Sequence, residues 1–116
     1  MVEYKVFAGE TLIGYSALES GDPPMGVASG KFMPLAAYEA IRAQCIASRD
    51  MSQKHLAFSI VQPNGLPLPV TLGISVLDYS AELGPTEIEV HAIGIGYPLY
   101  EQLFPAQVAA YAKQFE

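Results

Sequence analysis

Residues 19–34 read ESGDPPMGVASGKFMP, and this stretch decides how the rest of the chain divides into elements. Its glycines and prolines are turn formers, and it shows neither helical nor strand periodicity. Long loops inside a domain are uncommon and are usually functional or disordered. Disorder requires low hydrophobicity, whereas this stretch contains four large apolar residues. We therefore predict an ordered loop that is clamped by the side chains of Met25, Val27, Phe32 and Met33.

The loop separates a predicted N-terminal hairpin from a predicted helix. Residues 4–18 alternate between two faces around Gly9-Glu10. This pair suits a tight turn, because glycine accepts a positive φ at the first central position. Pro34 is a favourable first helical residue, and the Ala-rich segment 35–49 carries apolar side chains at helical spacing.

The second half of the chain favours strands followed by short helices. Strand character recurs in three segments, 56–62, 70–79 and 86–95. The prolines of residues 66–69 exclude that segment from a central strand, since proline cannot donate to the ladder, and leave an extended edge or a polyproline-like arm. A short helix is predicted over residues 99–104, and Pro105 opens an amphipathic terminal helix.

These elements predict one α+β domain over residues 1–116. We expect a twisted, mainly antiparallel sheet of about five strands, packed on the 35–49 helix, because short connections favour antiparallel pairing. A half-open barrel wrapped around that helix is the alternative. The 116 residues are 51% hydrophobic, which is enough for one core.

The charge of the chain limits the classes of partner. Six Lys and Arg residues against twelve Asp and Glu residues give a net charge of −6. Nucleic-acid binding requires clustered cations, and here they are scattered, so we exclude nucleic acid as the main partner. The acidic balance favours a basic partner protein or serves only to maintain solubility.

Several further features indicate a soluble, cytoplasmic protein. No apolar run approaches the roughly 18 residues of a membrane span, and the first residues, MVEYKVFAGE, lack the pattern of a signal peptide. The single cysteine, Cys45, excludes an internal disulfide and a cysteine-rich zinc site. We predict no cofactor, no metal and no membrane partner.

One candidate polar site lies in the last predicted strand. Glu87, Glu89 and His91 share one face of it, with successive side chains about 6.5 Å apart. Carboxylates beside a histidine suit proton transfer or metal binding. A solvated outer face is the simpler interpretation. Cys45 lies on the apolar side of its helix, and we interpret it as a core residue rather than a nucleophile.

The second candidate site is an interaction surface formed by apolar and aromatic residues. Methionine adapts to a partner's shape, and tyrosine supplies rigid apolar area with a hydroxyl. The predicted surface consists of Asp22, Met25, Val27, Lys31, Phe32, Met33, Tyr97 and Tyr100.

From these features we predict a small, acidic, non-enzymatic protein-interaction module. An inhibitor or immunity-type protein for a basic partner is a special case of this class. The first alternative is a small enzyme or ligand-binding domain with a pocket beneath residues 19–34. The second is a self-associating protein.

Overall fold

The computed structural model describes residues 3–49 and 51–115, and it confirms the α+β class. In this part of the chain there are eight strands: β1 (Tyr4–Ala8), β2 (Thr11–Ser16), β3 (Ser20–Asp22), β4 (Val27–Lys31), β5 (Met33–Pro34), β6 (Phe58–Val61), β7 (Gly73–Asp78) and β8 (Ile88–Ile93). The α-helices are α1 (Arg42–Ala47), α2 (Ser80–Leu83), α3 (Leu99–Leu103) and α4 (Pro105–Lys113). Short 3-10 helices cover Pro23–Met25, Ala36–Ala40 and Lys54–Leu56.

The strands form two antiparallel sheets instead of one sheet of about five strands. The first sheet has the order β5-β2-β1-β6, and the second has the order β3-β4-β8-β7. The predicted N-terminal hairpin is confirmed as β1 and β2, and Gly9 has the positive φ of +59° that its turn requires. β6 lies beside β7 without pairing with it.

Residues 19–34 contain strands, so the prediction of a loop without strand periodicity was wrong. β3 and β4 form a hairpin around Pro23–Met25, and β4 pairs with β8 from Val27 to Lys31. The inward positions of β4 are Ala28 and Gly30, which are too small to produce an apolar alternation in the sequence.

The order of this segment comes from backbone pairing and not from four clamping side chains. Of those four residues, only Phe32 is buried, whereas Met25 and Met33 are exposed and Val27 is half-buried. A Cβ at Gly30 would lie 2.8 Å from Ser16 Oγ. The glycine therefore allows the close approach of β4 to the end of β2.

The predicted helix over residues 35–49 is divided into two pieces. Ala36–Ala40 is a 3-10 helix, and Ile41 has φ −121° and ψ 2°, which interrupts the regular backbone before α1. Tyr38 and Arg42 lie on either side of this break, and both bond the carboxylate of Asp78 at the end of β7. Two long-range bonds to one acceptor thus accompany the loss of a continuous helix.

The core is filled from the inward faces of both sheets and from the helical segments. Its largest fully buried apolar side chains are Tyr4, Val6, Ile13, Leu18, Tyr38, Ile60, Val76, Ile88, Val90 and Tyr100. The rings of Tyr4 and Phe104 stack at 5.8 Å between centroids. Tyr100 of α3 and Phe104, which follows this helix, therefore close one end of the core.

Candidate functional site

The structure separates the predicted interaction surface into exposed and buried residues. Met25 and Tyr97 are 62% and 52% exposed, whereas Phe32 and Tyr100 are buried. The Tyr100 hydroxyl donates to the Val27 carbonyl at 2.7 Å, which ties α3 to β4. Phe32 and Tyr100 therefore belong to the core, and their assignment to a contact surface is corrected.

Met25 and Tyr97 are connected at the tip of the β3–β4 hairpin. The Tyr97 hydroxyl donates to the Pro23 carbonyl at 3.0 Å, and Pro23 begins the short helix that ends at Met25. Pro24 and Pro98, which adjoin these residues in the sequence, are also exposed. We call Pro24, Met25, Tyr97 and Pro98 the tip surface.

Backbone hydrogen bonds hold this hairpin tip against the end of β8. The Gly26 carbonyl accepts the N–H groups of Gly94 at 3.1 Å and of Ile95 at 2.9 Å. Gly26 has a φ of +65°, which glycine adopts without strain, and a Cβ there would lie 2.6 Å from the Ile95 carbonyl oxygen. The tip surface is thus presented on a fixed backbone.

A cleft of about 470 Å³ lies between β3 and α4, next to the tip. Its lining includes Asp22, Pro23, Gln107, Tyr111 and Gln114. The Asp22 carboxylate is the charged group of this lining, and it makes no ion pair with any described residue. The cleft therefore combines apolar area with one negative charge.

Lys31 and Met33 lie far from the tip surface along the hairpin. β4 extends from Val27 beside the tip to Lys31, a distance of roughly 13 Å for an extended strand. The Lys31 ammonium lies 3.5 Å from the Glu87 carboxylate, and Met33 borders a separate apolar groove of about 360 Å³ with Pro34. The eight predicted contact residues therefore do not form one continuous surface.

The predicted polar row lies on the outer side of the second sheet. Glu89 and His91 belong to β8, Glu87 precedes this strand, and all three side chains are partly exposed. His91 Nε2 lies 3.0 Å from Glu89 Oε1. Within residues 3–49 and 51–115, no group of three or more His, Cys, Asp or Glu side chains is placed to hold a metal ion. The geometry is that of neighbouring polar side chains at a sheet surface.

A second polar cluster surrounds Asp78, and the sequence does not bring its members together. The Asp78 carboxylate is fully buried. Its Oδ2 accepts the Tyr38 hydroxyl at 2.6 Å and Arg42 Nη1 at 3.4 Å, and its Oδ1 accepts the Ser80 N–H at 2.8 Å. A local signal does exist, because Asp two residues before Ser at a strand end is typical of a side-chain turn. The contributions of Tyr38 and Arg42 come from remote segments.

The pKa shifts in this cluster indicate a structural role. Burial would raise the pKa of Asp78, but hydrogen bonds from Ser80 and Tyr38 and the charge of Arg42 lower it overall. Burial and the bond to Asp78 raise the pKa of Tyr38, and burial raises that of Cys45. At neutral pH the carboxylate is therefore ionised, whereas the phenol and the thiol keep their protons and are inaccessible from solvent.

Comparison of the chain with models of known protein families, with curated proteins and with solved structures found no match. Function is therefore inferred from the geometry of the chain itself. Among the described residues, none of the helices has the length and apolar character that crossing a bilayer requires.

Proposed function

We propose that this chain is a small protein-interaction module that binds a basic partner protein through the tip surface and the adjoining cleft. The observation that carries the proposal is the exposure of two large side chains, Met25 and Tyr97, on a tip held by hydrogen bonds. A surface that is already ordered loses little conformational entropy on binding. Methionine and tyrosine also supply the adaptable and rigid apolar contacts that protein interfaces use.

The charge distribution supports a basic partner. Asp22 offers an unpaired carboxylate in the cleft, and the chain has a net charge of −6. Both arginines face carboxylates of their own chain, Arg42 with Glu39 and Arg49 with Glu82. Complementary charge accelerates association and makes it sensitive to salt. An inhibitor or immunity-type protein that covers a basic surface of its target is the special case that size and charge favour.

Site-specific photocrosslinking tests the proposal. A benzophenone amino acid in place of Met25 should crosslink one basic protein in an extract of the producing cells. The matched control carries the same group in place of Leu83, which is similarly exposed. Leu83 lies in α2, which comes directly after β7 in the chain. The last residue of β7, Asp78, pairs with Ile88 at the end of the second sheet that lies opposite the tip. Equal adducts at both positions, or none at position 25, would contradict the proposal.

Point variants then separate the apolar and the charged contributions to binding of the crosslinked protein. Met25→Ser should weaken the complex roughly tenfold, as loss of a central interface side chain does. Leu83→Ser should leave the affinity unchanged. Asp22→Asn should slow association and reduce its dependence on salt, because charge at an interface acts mainly on the association rate.

Ligand binding in the cleft between β3 and α4 is a second candidate function. Its volume of about 470 Å³ lies within the range of small-molecule sites. Native mass spectrometry of protein isolated from its own cells would reveal a retained compound. Loss of that compound on Tyr111→Ser, with the fold intact, would favour a ligand-binding domain or small enzyme over the interaction module. A mass that rises with concentration in light scattering would indicate self-association.

A further inference from the structure

β7 is an edge strand of the second sheet, and its outer side pairs with no other described strand. In an antiparallel strand, each residue directs its N–H and C=O groups to one side, and successive residues alternate. The Tyr79 N–H donates to the Glu87 carbonyl, so the odd-numbered residues of this strand face β8. Ile74, Val76 and Asp78 therefore direct their backbone groups away from β8, toward β6, which does not pair with β7.

Side chains occupy this edge at two of the three positions. Gln53 Nε2 donates to the Val76 carbonyl and Gln53 Oε1 accepts the Val76 N–H, each at 2.9 Å. Arg49 Nη1 donates to the Asp78 carbonyl at 3.1 Å. The Gln53 amide thus takes the place of a peptide group in a neighbouring strand. Ile74, two residues before Val76, receives no such bond from the described residues.

Ile74 borders a cleft of about 310 Å³ that is lined by both polar and apolar residues. Met51 and Leu72, which line it, are 72% and 73% exposed. Lys54 supplies the charge in this lining, and it makes no ion pair with any described residue. The Lys54 ammonium is the charged group of this cleft, so it favours a carboxylate on the occupant at this place.

We propose that this cleft binds an extended, acidic peptide segment of a partner protein, which adds a short strand to the edge of β7. The backbone of the peptide pairs with Ile74, one of its apolar side chains packs between Met51 and Leu72, and a carboxylate faces Lys54. In strand addition, backbone bonds supply affinity and alternate side chains supply specificity. The site uses none of the tip-surface residues, so its test is independent of the proposed function.

Hydrogen exchange of the free protein tests whether the Ile74 N–H is unpaired. The Ile74 amide should exchange at least about tenfold faster than the Leu77 amide, because only the Leu77 N–H faces β8. Equal protection of the two amides would overturn the proposal.

The probe for binding is acetyl-Val-Glu-Val-Glu-Val-amide, titrated into isotope-labelled protein at low salt and followed by NMR. We expect shifts at Ile74 and slower exchange of its amide. The matched peptide with Lys in place of Glu should bind up to about fivefold more weakly. Two further peptides carry N-methyl groups either on the Val nitrogens or on the Glu nitrogens. In an added strand, only alternate residues direct their N–H groups to β7, so N-methyl groups are tolerated in only one of the two peptides. Equal binding of both peptides would overturn strand addition.

Variants of the cleft complete the test. Lys54→Glu should reverse the preference between the Glu and Lys peptides, and Leu72→Ser should weaken binding of both. Leu66→Ser is the matched control, because Leu66 is similarly exposed but does not line the cleft. Shifts confined to residues outside the cleft, no binding at millimolar peptide, or an unchanged charge preference in Lys54→Glu would refute the proposal.

Discussion

Replacing Tyr38 by Phe tests whether the cluster around Asp78 stabilises the fold. The variant removes one hydroxyl and keeps the ring, which packs edge-on against Phe32 at 5.1 Å between centroids. The lost hydrogen bond is 2.6 Å long, and its acceptor is a fully buried carboxylate. Hydrogen bonds to charged groups contribute about 1.5–3 kcal/mol. Because Asp78 keeps its bonds to Ser80 and Arg42, we expect the free energy of unfolding to fall by about 2 kcal/mol.

Urea denaturation at pH 7, followed by circular dichroism, measures this loss. The dependence of the free energy on urea should not change, since the variant exposes no additional surface on unfolding. Tyr15→Phe is the matched control, because no hydrogen bond joins the half-buried Tyr15 hydroxyl to a described residue. The control should lie within about 0.5 kcal/mol of the wild type. A Tyr38→Phe variant that also lies within this range would refute the stabilising role.

The pH dependence of the same variant follows from the shifted pKa of Asp78. Burial is the largest single influence and would raise this pKa, but the bonds from Ser80 and Tyr38 and the charge of Arg42 lower it below the ordinary value. The ionised carboxylate therefore stabilises the fold above about pH 3.9, and this contribution is lost as pH falls through the folded-state pKa. The difference in the free energy of unfolding between wild type and Tyr38→Phe should therefore become smaller as pH falls through the folded-state pKa of Asp78. If the difference in the free energy of unfolding stays constant until the protein unfolds in acid, the stabilising role of the ionised Asp78 carboxylate is contradicted.

Three further substitutions or modifications have specific expected outcomes. Gln53→Ala should lower the free energy of unfolding in urea by about 1–3 kcal/mol, because the Val76 N–H and C=O lose their partner. Gly94→Ala should cost more than Gly65→Ala in the same assay; both glycines have positive φ, but only at Gly94 would a Cβ meet neighbouring atoms. Cys45 is buried with a raised pKa, so iodoacetamide should label it only in urea, and rapid labelling of the folded protein would contradict its place in the core.

Local signals in the sequence were sufficient for several elements. Gly9 marks the first hairpin because its backbone conformation excludes most other residues, and Pro105 marks the start of α4 because a missing N–H has no cost at that position. These predictions depend on one or two neighbouring residues. The structure confirms both elements.

The hairpin inside residues 19–34 depends on contacts that a local pattern does not contain. Ala28 and Gly30 of β4 face inward, and a side chain at position 30 would meet Glu19 and Ser16. Residues of the same type also have different fates, since Tyr97 is exposed whereas Tyr100 is buried and bonds a strand carbonyl. Burial of this kind is decided by the tertiary fold, so part of the predicted contact surface was in fact core.

Unpaired strand edges promote aggregation, and the two sheets restrict theirs in different ways. β3 and β5 have only three and two residues, so neither offers a long template to another molecule. The edge of β6 is covered where Leu68 donates to Ile60, and that of β7 is occupied by Gln53. Fibril growth by edge-to-edge stacking is thereby opposed at all four margins.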